Sequence, residues 1–260
     1  MSYSCGKYPI IEKKTLGAGV YSVTVNAPEC AEAASVGQFA NIAAPGFTLR
    51  RPISICGIDK AKGTLRFVFE VRGKGTAAIS NVREGECLDI LAPLGNGFSL
   101  PAGVDNKVIV VGGGIGVPPL LGVSAVKGKD CTAVLGFRDY SKIILADEFK
   151  ANGSDVVICT DDGSVGIHGL VTVPLADRLS EASKDVTVLA CGPEPMLKAV
   201  VALCKEQKIP CQISLEQRMG CGVGACVVCS CMTIRDGEEY YARVCKDGPV
   251  FNAEEVKFNG

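Results

Sequence analysis

The sequence predicts a chain of class β + α/β in three parts, and three observations carry that prediction. Short apolar or alternating runs fill residues 1–100, strand-like runs alternate with helix-like segments over 101–215, and cysteines crowd 216–260. The 260 residues match about two domains of roughly 150 each. The third part is too small to hold a core alone and needs an internal staple.

Composition narrows the function classes. With 47% apolar and 21% charged residues the chain has ample core material and is not disordered. Lys plus Arg is 27 and Asp plus Glu is 28, a net charge of −1 with no basic run. That argues against nucleic acid or an anionic membrane surface as partner. A single His excludes a His-rich metal site and Ser-His-Asp machinery. The 14 cysteines would mean a disulfide scaffold in a short secreted chain. Residues 1–19 carry Lys7, Glu12, Lys13 and Lys14 and no apolar core, so they do not read as a signal peptide. The expectation is a cytoplasmic protein whose cysteines are buried thiols or metal ligands. Residues 108–126 are uncharged and just long enough to span a bilayer. Five glycines with Pro118 and Pro119 argue instead for a strand, a turn and the start of a helix, with no membrane contact.

The elements follow in order. Strand-like runs at 19–25, 39–42, 53–56, 65–71 and 87–91, with turn clusters at 44–46 and 59–63, predict an antiparallel barrel or sandwich. Breakers at 93–97 and 101–106 mark a boundary. Runs rich in Val and Ile then recur at 107–111, 131–136, 155–160, 186–190 and 211–215. Helix-like segments at 118–127, 141–151, 169–179 and 194–207 separate them, the rhythm of a parallel sheet covered on both faces. The expected domains are therefore 1–100, 101–215 and 216–260.

In the tail, Cys221, Cys226 and Cys229 have the C-x4-C-x2-C spacing of a plant-type [2Fe-2S] loop, with Cys245 as a distant fourth ligand. A loop wrapping such a cluster must turn tightly and aim N–H groups at sulfur, which Gly220, Gly222 and Gly224 permit. Four cysteines also make tetrahedral zinc, but zinc loops usually come as two C-x2-4-C pairs and this tail has one. Inert thiols fit poorly with six cysteines in 35 residues among glycines. Cys231 could replace Cys229 at x4-x4 spacing, though x2 fits better; Cys211 and Cys231 are left as spare thiols.

Gly112, Gly113, Gly114 and Gly116 follow a strand and precede Pro118 and Pro119 at a helix start. Glycines let the backbone approach a pyrophosphate, and a helix N-terminus offers free N–H groups. The G-x-G-x-x-G spacing is not met, because Val117 stands at the third position, so a ligand-free turn is the alternative. Cys191, Gly192 and Pro193 close another strand at its carboxyl end, where open α/β sheets bind ligands. By itself Cys191 is more often a small buried hydrophobe. Asp161 and Asp162 end a third strand, either as a solvated turn or as carboxylates that repel a 2′-phosphate and favour NAD over NADP. Near the N-terminus, Arg50, Arg51, Pro52, Ile53 and Ser54 begin a strand, and Arg72 precedes Gly75 and Thr76. A planar guanidinium beside backbone N–H groups can clamp a pyrophosphate, which with a nucleotide domain fits a flavin.

Arg51, Pro52, Ile53, Ser54, Gly75, Thr76, the 112–119 loop and Cys191-Gly192-Pro193 together resemble the ferredoxin–NAD(P) reductase superfamily. The tail from Arg218 through Cys229, with Cys245, looks like that of electron-transfer subunits of class 1B dihydroorotate dehydrogenases, and the similarity covers the whole chain in order. The resemblance implies an N-terminal antiparallel β-barrel flavin domain, a parallel-sheet NAD-binding domain and a small [2Fe-2S] domain. It implies FAD held by Arg51, Pro52, Ile53, Ser54, Val68, Phe69, Glu70, Gly75 and Thr76. It places NAD on Gly112, Gly113, Gly114, Gly116, Asp161, Cys191, Gly192 and Pro193, with Cys191 the catalytic candidate near the nicotinamide. The family strand often presents an Arg where Glu70 stands here; Arg72, two residues on, either takes over that contact or leaves it lost. His168 reads as a structural loop residue.

The function this implies is an NAD-linked oxidoreductase subunit of pyrimidine biosynthesis. It would pass electrons from the FMN of a dihydroorotate dehydrogenase catalytic subunit through [2Fe-2S] and FAD to NAD+, in a heterotetramer of two of each. No pyrimidine site is evident, so substrate oxidation belongs to the partner. Rival readings are a reductase subunit of a hydrogenase or transhydrogenase-type complex, a non-enzymatic redox sensor and a zinc-stapled binding module.

Overall fold

Fourteen residues at the N-terminus, β1 (Ser4–Gly17), form the longest strand in a computed structural model that describes residues 3–100, 107–181 and 186–258. The sequence reading missed this strand. Only Tyr8 and Ile10 are buried along it, so its charged residues hide the alternation. β2 (Val20–Asn26), β3 (Phe39–Ala43), β4 (Arg50–Asp59), β5 (Thr64–Glu70) and β6 (Cys87–Leu94) join it in a closed antiparallel barrel of order β1-β2-β5-β4-β3-β6. Closure gives each strand a neighbour on both sides over part of its length. Val23, Val25, Ile42, Leu65, Phe67, Leu88 and Ile90 point inward and form the barrel core. Two short helices were also not foreseen: α1 (Pro28–Ala33), opened by Pro28, and α2 (Lys74–Ser80), which follows Gly73.

The second layer system is the predicted parallel sheet. β7 (Lys107–Gly113), β8 (Cys131–Phe137), β9 (Asp155–Thr160), β10 (Ile167–His168), β11 (Val186–Cys191) and β12 (Cys211–Ser214) all run parallel. Around them lie α3 (Pro118–Lys127), α4 (Ala146–Ala151), α5 (Thr172–Glu181) and α6 (Glu194–Gln207). The third helix of the chain matches its expected bounds, but α4 begins five residues later than expected, because Leu145 takes φ 63 and breaks the helix there. His168 lies in the two-residue edge strand β10 rather than in a loop. The uncharged run 108–126 resolves into β7, a glycine turn and α3. Among the described residues no helix is long and apolar enough to cross a membrane. The 101–106 boundary segment lies outside the described residues.

The tail adds the hairpin β13 (Ser230–Arg235) and β14 (Glu238–Arg243), turned through Asp236 and Gly237 at φ 52 and 84. An Asp-Gly pair with both residues at positive φ is the turn that suits twisted strands. β15 (Val250–Asn252) then returns to pair antiparallel with β12, completing the sheet order β10-β9-β8-β7-β11-β12-β15. The tail also borrows its core. Phe39, Leu91 and Leu94 of the barrel pack with Cys229, Ala242, Val244, Cys245 and Phe251.

Candidate functional site

The barrel opens where the flavin motif lies. β4 pairs with β3 from Arg50 to Ser54, then switches to β5 from Ile55 onward. The β4–β5 ladder ends at Ile55 opposite Phe67, so Val68, Phe69 and Glu70 run on beyond it, paired only with β2. Two strands that part in this way leave main-chain groups on facing edges. The side chains of Val68 and Phe69 are buried in the cores, so these residues offer a ligand only backbone. Glu70 is ion-paired with Arg72 at 3.1 Å, and Arg72 also reaches Glu216 at 3.9 Å.

The two adjacent arginines separate. Arg50 donates to the carbonyls of Asn41 and Asp89 and pairs with the Asp89 carboxylate at 2.8 Å. Arg51 instead lies over the ring of Phe47 and against Gly75, where an added Cβ would sit 2.2 Å from Arg51 Nε. Gly75 is therefore required for the approach of a guanidinium 24 positions earlier in the chain. Thr76 Oγ1 accepts from the N–H groups of Arg72 and Gly73, fixing the turn that leads into α2.

The nucleotide loops meet at the switch point of the sheet. From β7 the order runs to β8 and β9 on one side and to β11 and β12 on the other. The glycine loop after β7 and Cys191-Gly192-Pro193 after β11 flank that point, where open sheets bind ligands outside the carboxyl ends of their strands. They touch: an added Cβ on Gly116 would lie 2.3 Å from the Cys191 carbonyl oxygen, and one on Gly113 would lie 3.0 Å from Pro193 Cδ. Gly112 and Gly113 are still in the ladder and Gly114 takes φ 53, so the first two bound the loop and the third turns it. Burial pushes the Cys191 thiol up to about 12, against a hydrogen bond with Ser214 that lowers it. Such a thiol is neutral near pH 7, a group that positions rather than attacks. Asp161 and Asp162 stand exposed after β9. Asp162 accepts from the Ser164 hydroxyl and N–H at 2.6 and 2.9 Å, which hold its carboxyl below the usual range.

The cysteine loop is a nest of N–H groups around sulfur. Cys221 Sγ accepts from the N–H of Val223, Ala225 and Cys226 at 3.4, 3.3 and 3.4 Å. Cys226 Sγ accepts from Cys221 N–H at 3.3 Å, Cys245 Sγ from Gly224 N–H at 3.1 Å, and Cys229 Sγ from Cys245 N–H at 3.4 Å. Gly222 and Gly224 take φ 77 and 84, the left-handed region a residue with Cβ resists. Burial raises the Cys221 thiol, but the N–H donors outweigh it and bring it down to about 6. Cys229 and Cys245 are buried, while Cys226 is exposed at the tip. Among the described residues no three His, Cys, Asp or Glu side chains converge on one ion position. Four thiols linked by N–H donors through one glycine loop and one distant turn have the chemistry that an iron–sulfur cluster requires, and in that respect the residues fit such a group. Cys231 stands aside on β13, with burial pushing its thiol up to about 11.

One residue missed by sequence reasoning joins two of these places. Asn41 of β3 is fully buried, faces Pro52 in the β3–β4 register, and donates to the Cys221 carbonyl at 3.4 Å. Its Oδ1 is the one buried side-chain polar atom without a partner among the described residues. No motif marks it; it lies 180 positions from its partner. The ion pair Arg243–Asp247, four positions apart and bracketing Cys245, was also missed, because no motif marks it.

Comparison with known proteins agrees with this geometry. Residues 216–257 match the model of the iron-sulfur cluster binding domain of dihydroorotate dehydrogenase B. A dihydroorotate dehydrogenase B (NAD(+)) electron transfer subunit from Geobacillus kaustophilus is 39% identical over 255 residues, covering 95% of this chain and 96% of its own. One from Caldanaerobacter subterraneus subsp. tengcongensis is 42% identical over 224 residues, 85% of this chain and 87% of its own. The solved structure of an NADH-dependent reduced ferredoxin-NADP oxidoreductase, studied for flavin-based electron bifurcation, superposes with a TM-score of 0.82 at 30% identity. It covers 97% of this chain and 90% of that one. Identity at this level along nearly the whole length of both chains, with the barrel, the parallel sheet and the cysteine loop all in place, means that the chain belongs to the family of dihydroorotate dehydrogenase B electron transfer subunits.

Proposed function

We propose that this subunit carries electrons from the FMN of a dihydroorotate dehydrogenase catalytic subunit to NAD+, in a cytoplasmic heterotetramer of two of each. The observation that carries the reading is Asn41. It is a register partner of Pro52 in the flavin motif and a hydrogen-bond donor to Cys221 in the cysteine loop, which supports two cofactor sites on either side of one buried residue. When bound, FAD exchanges one or two electrons, the [2Fe-2S] cluster one, and NAD+ a hydride. The chain's own residues bind and orient. Arg51 and the backbone around Gly75 and Thr76 hold the flavin pyrophosphate, and the parted edges of Arg51, Pro52, Ile53, Ser54, Val68, Phe69 and Glu70 receive its ring. Arg72, tied to Glu70, stands two residues beyond the position where the family strand often presents an Arg. Gly112, Gly113, Gly114, Gly116, Gly192 and Pro193 give the nucleotide a close backbone, and the neutral Cys191 borders the nicotinamide. Cys221, Cys226, Cys229 and Cys245 ligate the cluster. The purified protein is expected to show flavin and iron–sulfur absorbance and, with its catalytic subunit, to reduce NAD+ with dihydroorotate. A colourless protein, or a loaded complex that leaves NAD+ unreduced, would overturn the reading.

A second reading, a reductase subunit of a transhydrogenase-type complex, draws on the 30% identity to the ferredoxin-NADP oxidoreductase. Asp161 and Asp162 weigh against NADP at this chain's own nucleotide site. Identification of the co-purifying protein separates the two.

A further inference from the structure

We propose that Arg243, held by Asp247, is a positioning residue that raises the reduction potential of the cluster by fixing the peptide between Gly224 and Ala225. The inference rests on the reading of Cys221 and Cys245 as cluster ligands.

The geometry is a relay of three links. Asp247 Oδ2 accepts from both the backbone N–H and Nε of Arg243, at 2.8 and 3.1 Å, and Asp247 Oδ1 accepts from Nη2 at 3.4 Å. The backbone closes the same turn, with the N–H of Asp247 donating to the Arg243 carbonyl at 2.7 Å. A planar guanidinium tied along its Nε–Nη2 edge has its plane fixed, and that plane sets where Nη1 can donate. That donor, Nη1, reaches the Gly224 carbonyl at 3.2 Å.

The Gly224 carbonyl and the Ala225 N–H belong to one planar trans peptide, so they point in opposite directions. With the carbonyl drawn to Arg243, the Ala225 N–H is aimed at Cys221 Sγ, 3.3 Å away. A cation on a carbonyl also polarises the peptide and strengthens its N–H as a donor. Gly224 is anchored by the same contact, and its own N–H donates to Cys245 Sγ at 3.1 Å, the shortest of the N–H to sulfur contacts in the loop. One side chain thus steers donors onto two of the four sulfurs, one from each part of the ligand set.

Reduction adds one electron to the cluster and makes its sulfurs better acceptors. Hydrogen bonds to sulfur are therefore stronger in the reduced state and raise the potential. Loss of Arg243 removes both the aim of the donors and a nearby positive charge, so the potential falls.

The test is a potentiometric titration of the full complex, following the electron paramagnetic resonance signal of the reduced cluster. Arg243→Gln is expected at a lower potential than wild type. Arg243→Lys, which keeps the charge but not the fork, is expected between the two. Arg235→Gln is the control: it makes the same charge change on the same hairpin, where Arg235 lies over Tyr240 and not on the loop. It is expected to leave the potential in place. A wild-type potential in Arg243→Gln overturns the proposal, as does an equal shift in Arg235→Gln, which would make the effect bulk charge. Should Arg243→Gln not retain its cluster, Arg243→Lys decides: an unshifted potential there overturns the proposal. A wild-type protein with no such signal would instead sink the ligand assignment, a separate result.

Discussion

Cysteines of the sheet and barrel and cysteines of the tail loop live under opposite rules. Burial pushes the Cys56 and Cys191 thiols up to about 12 and those of Cys131 and Cys159 up to about 11. Burial raises Cys221 as well, yet three backbone N–H donors bring it down to about 6. The difference is where the backbone spends its hydrogen bonds. Inside a ladder each N–H is already committed to a carbonyl, so a thiol there meets no free backbone donor, and burial outweighs the side-chain hydrogen bonds that Ser214 and Ser154 give Cys191 and Cys131. In the 221–226 loop the glycines break every ladder, and the released N–H groups turn to sulfur. Cys245, buried against Cys229, is pushed up to about 12. Buried thiols such as Cys56, Cys131 and Cys159 are thus small core hydrophobes, whereas Cys221 sits in a turn that holds an anion.

The hardest way to break that comparison is to remove a loop sulfur. Cys226 is exposed, so Cys226→Ser costs little packing. Electron delivery from the partner's substrate to NAD+ should fall by more than about 100-fold, beyond the loss usual for a supporting residue around a metal. NADH oxidation by a dye that takes electrons from the flavin should be largely retained, because it needs only the barrel and the switch-point loops. Assaying both on one cluster-free preparation decides it; if both persist, the cluster is not the conduit. Cys231→Ser should keep the cluster signal. If it does not while Cys229→Ser does, those two assignments exchange.

Gly75→Ala tests whether a turn in the barrel works as the loop does. The added methyl must displace Arg51, and losing one hydrogen bond to a charged group costs about 1.5–3 kcal/mol. FAD should bind about 10- to 100-fold more weakly, read by flavin fluorescence titration of the apoprotein. Unchanged affinity would remove Arg51 from the pyrophosphate site.

These contrasts also mark what was legible in the sequence. The C-x4-C-x2-C spacing could be read because the ligand loop is local, and β7 because a strand buried on both faces is a continuous Val and Ile run. β1 was hidden by Lys7, Glu12, Lys13 and Lys14, since a barrel strand with one solvated face can carry charge at most of its positions. The separation of Arg50 from Arg51 depends on which face of β4 each occupies, and the bulge between Ile55 and Gly57 makes counting by twos unsafe. Asn41 and Arg243 act across 180 and 19 positions, on partners that are backbone carbonyls. A carbonyl has no sequence signature, so no spacing rule could point to it.

The core thiols sharpen the comparison from the other side through pH. Their folded values lie above the unfolded value near 8.5, so their contribution to stability is complete below that pH and is lost as pH rises toward 11 to 12. The sign follows because only the unfolded chain ionises in that window. Between pH 8.5 and 10 each such thiol is expected to cost up to about 1–2 kcal/mol. Urea melts of wild type and of Cys56→Ala at both pH values check this; an alkaline loss no smaller in the variant would mean that Cys56 is not one of the responsible groups.

The smallest effect concerns a second anion held by a turn. Asp162 is to its turn what Cys221 is to the loop, with the Ser164 hydroxyl and N–H donors holding its carboxyl ionised. It stands with Asp161 after β9, two strands from the switch point, or about 10 Å across the sheet. An extended dinucleotide crossing from the glycine loop would bring its adenosine end to these carboxylates, where a 2′-phosphate meets like charge. Both side chains are exposed, so water screens the repulsion and leaves each a small effect. NADH should therefore be preferred over NADPH, and Asp162→Asn should narrow the preference by only about two- to five-fold. The preference should also shrink as salt is raised from about 0.01 to 0.15 M, since the screening length falls from about 30 to 8 Å. Ratios of kcat/KM for the two nucleotides, at both salt levels and in both proteins, carry the measurement. Equal kcat/KM for NADPH and NADH in the wild-type protein would show that this turn holds its anion for the fold alone.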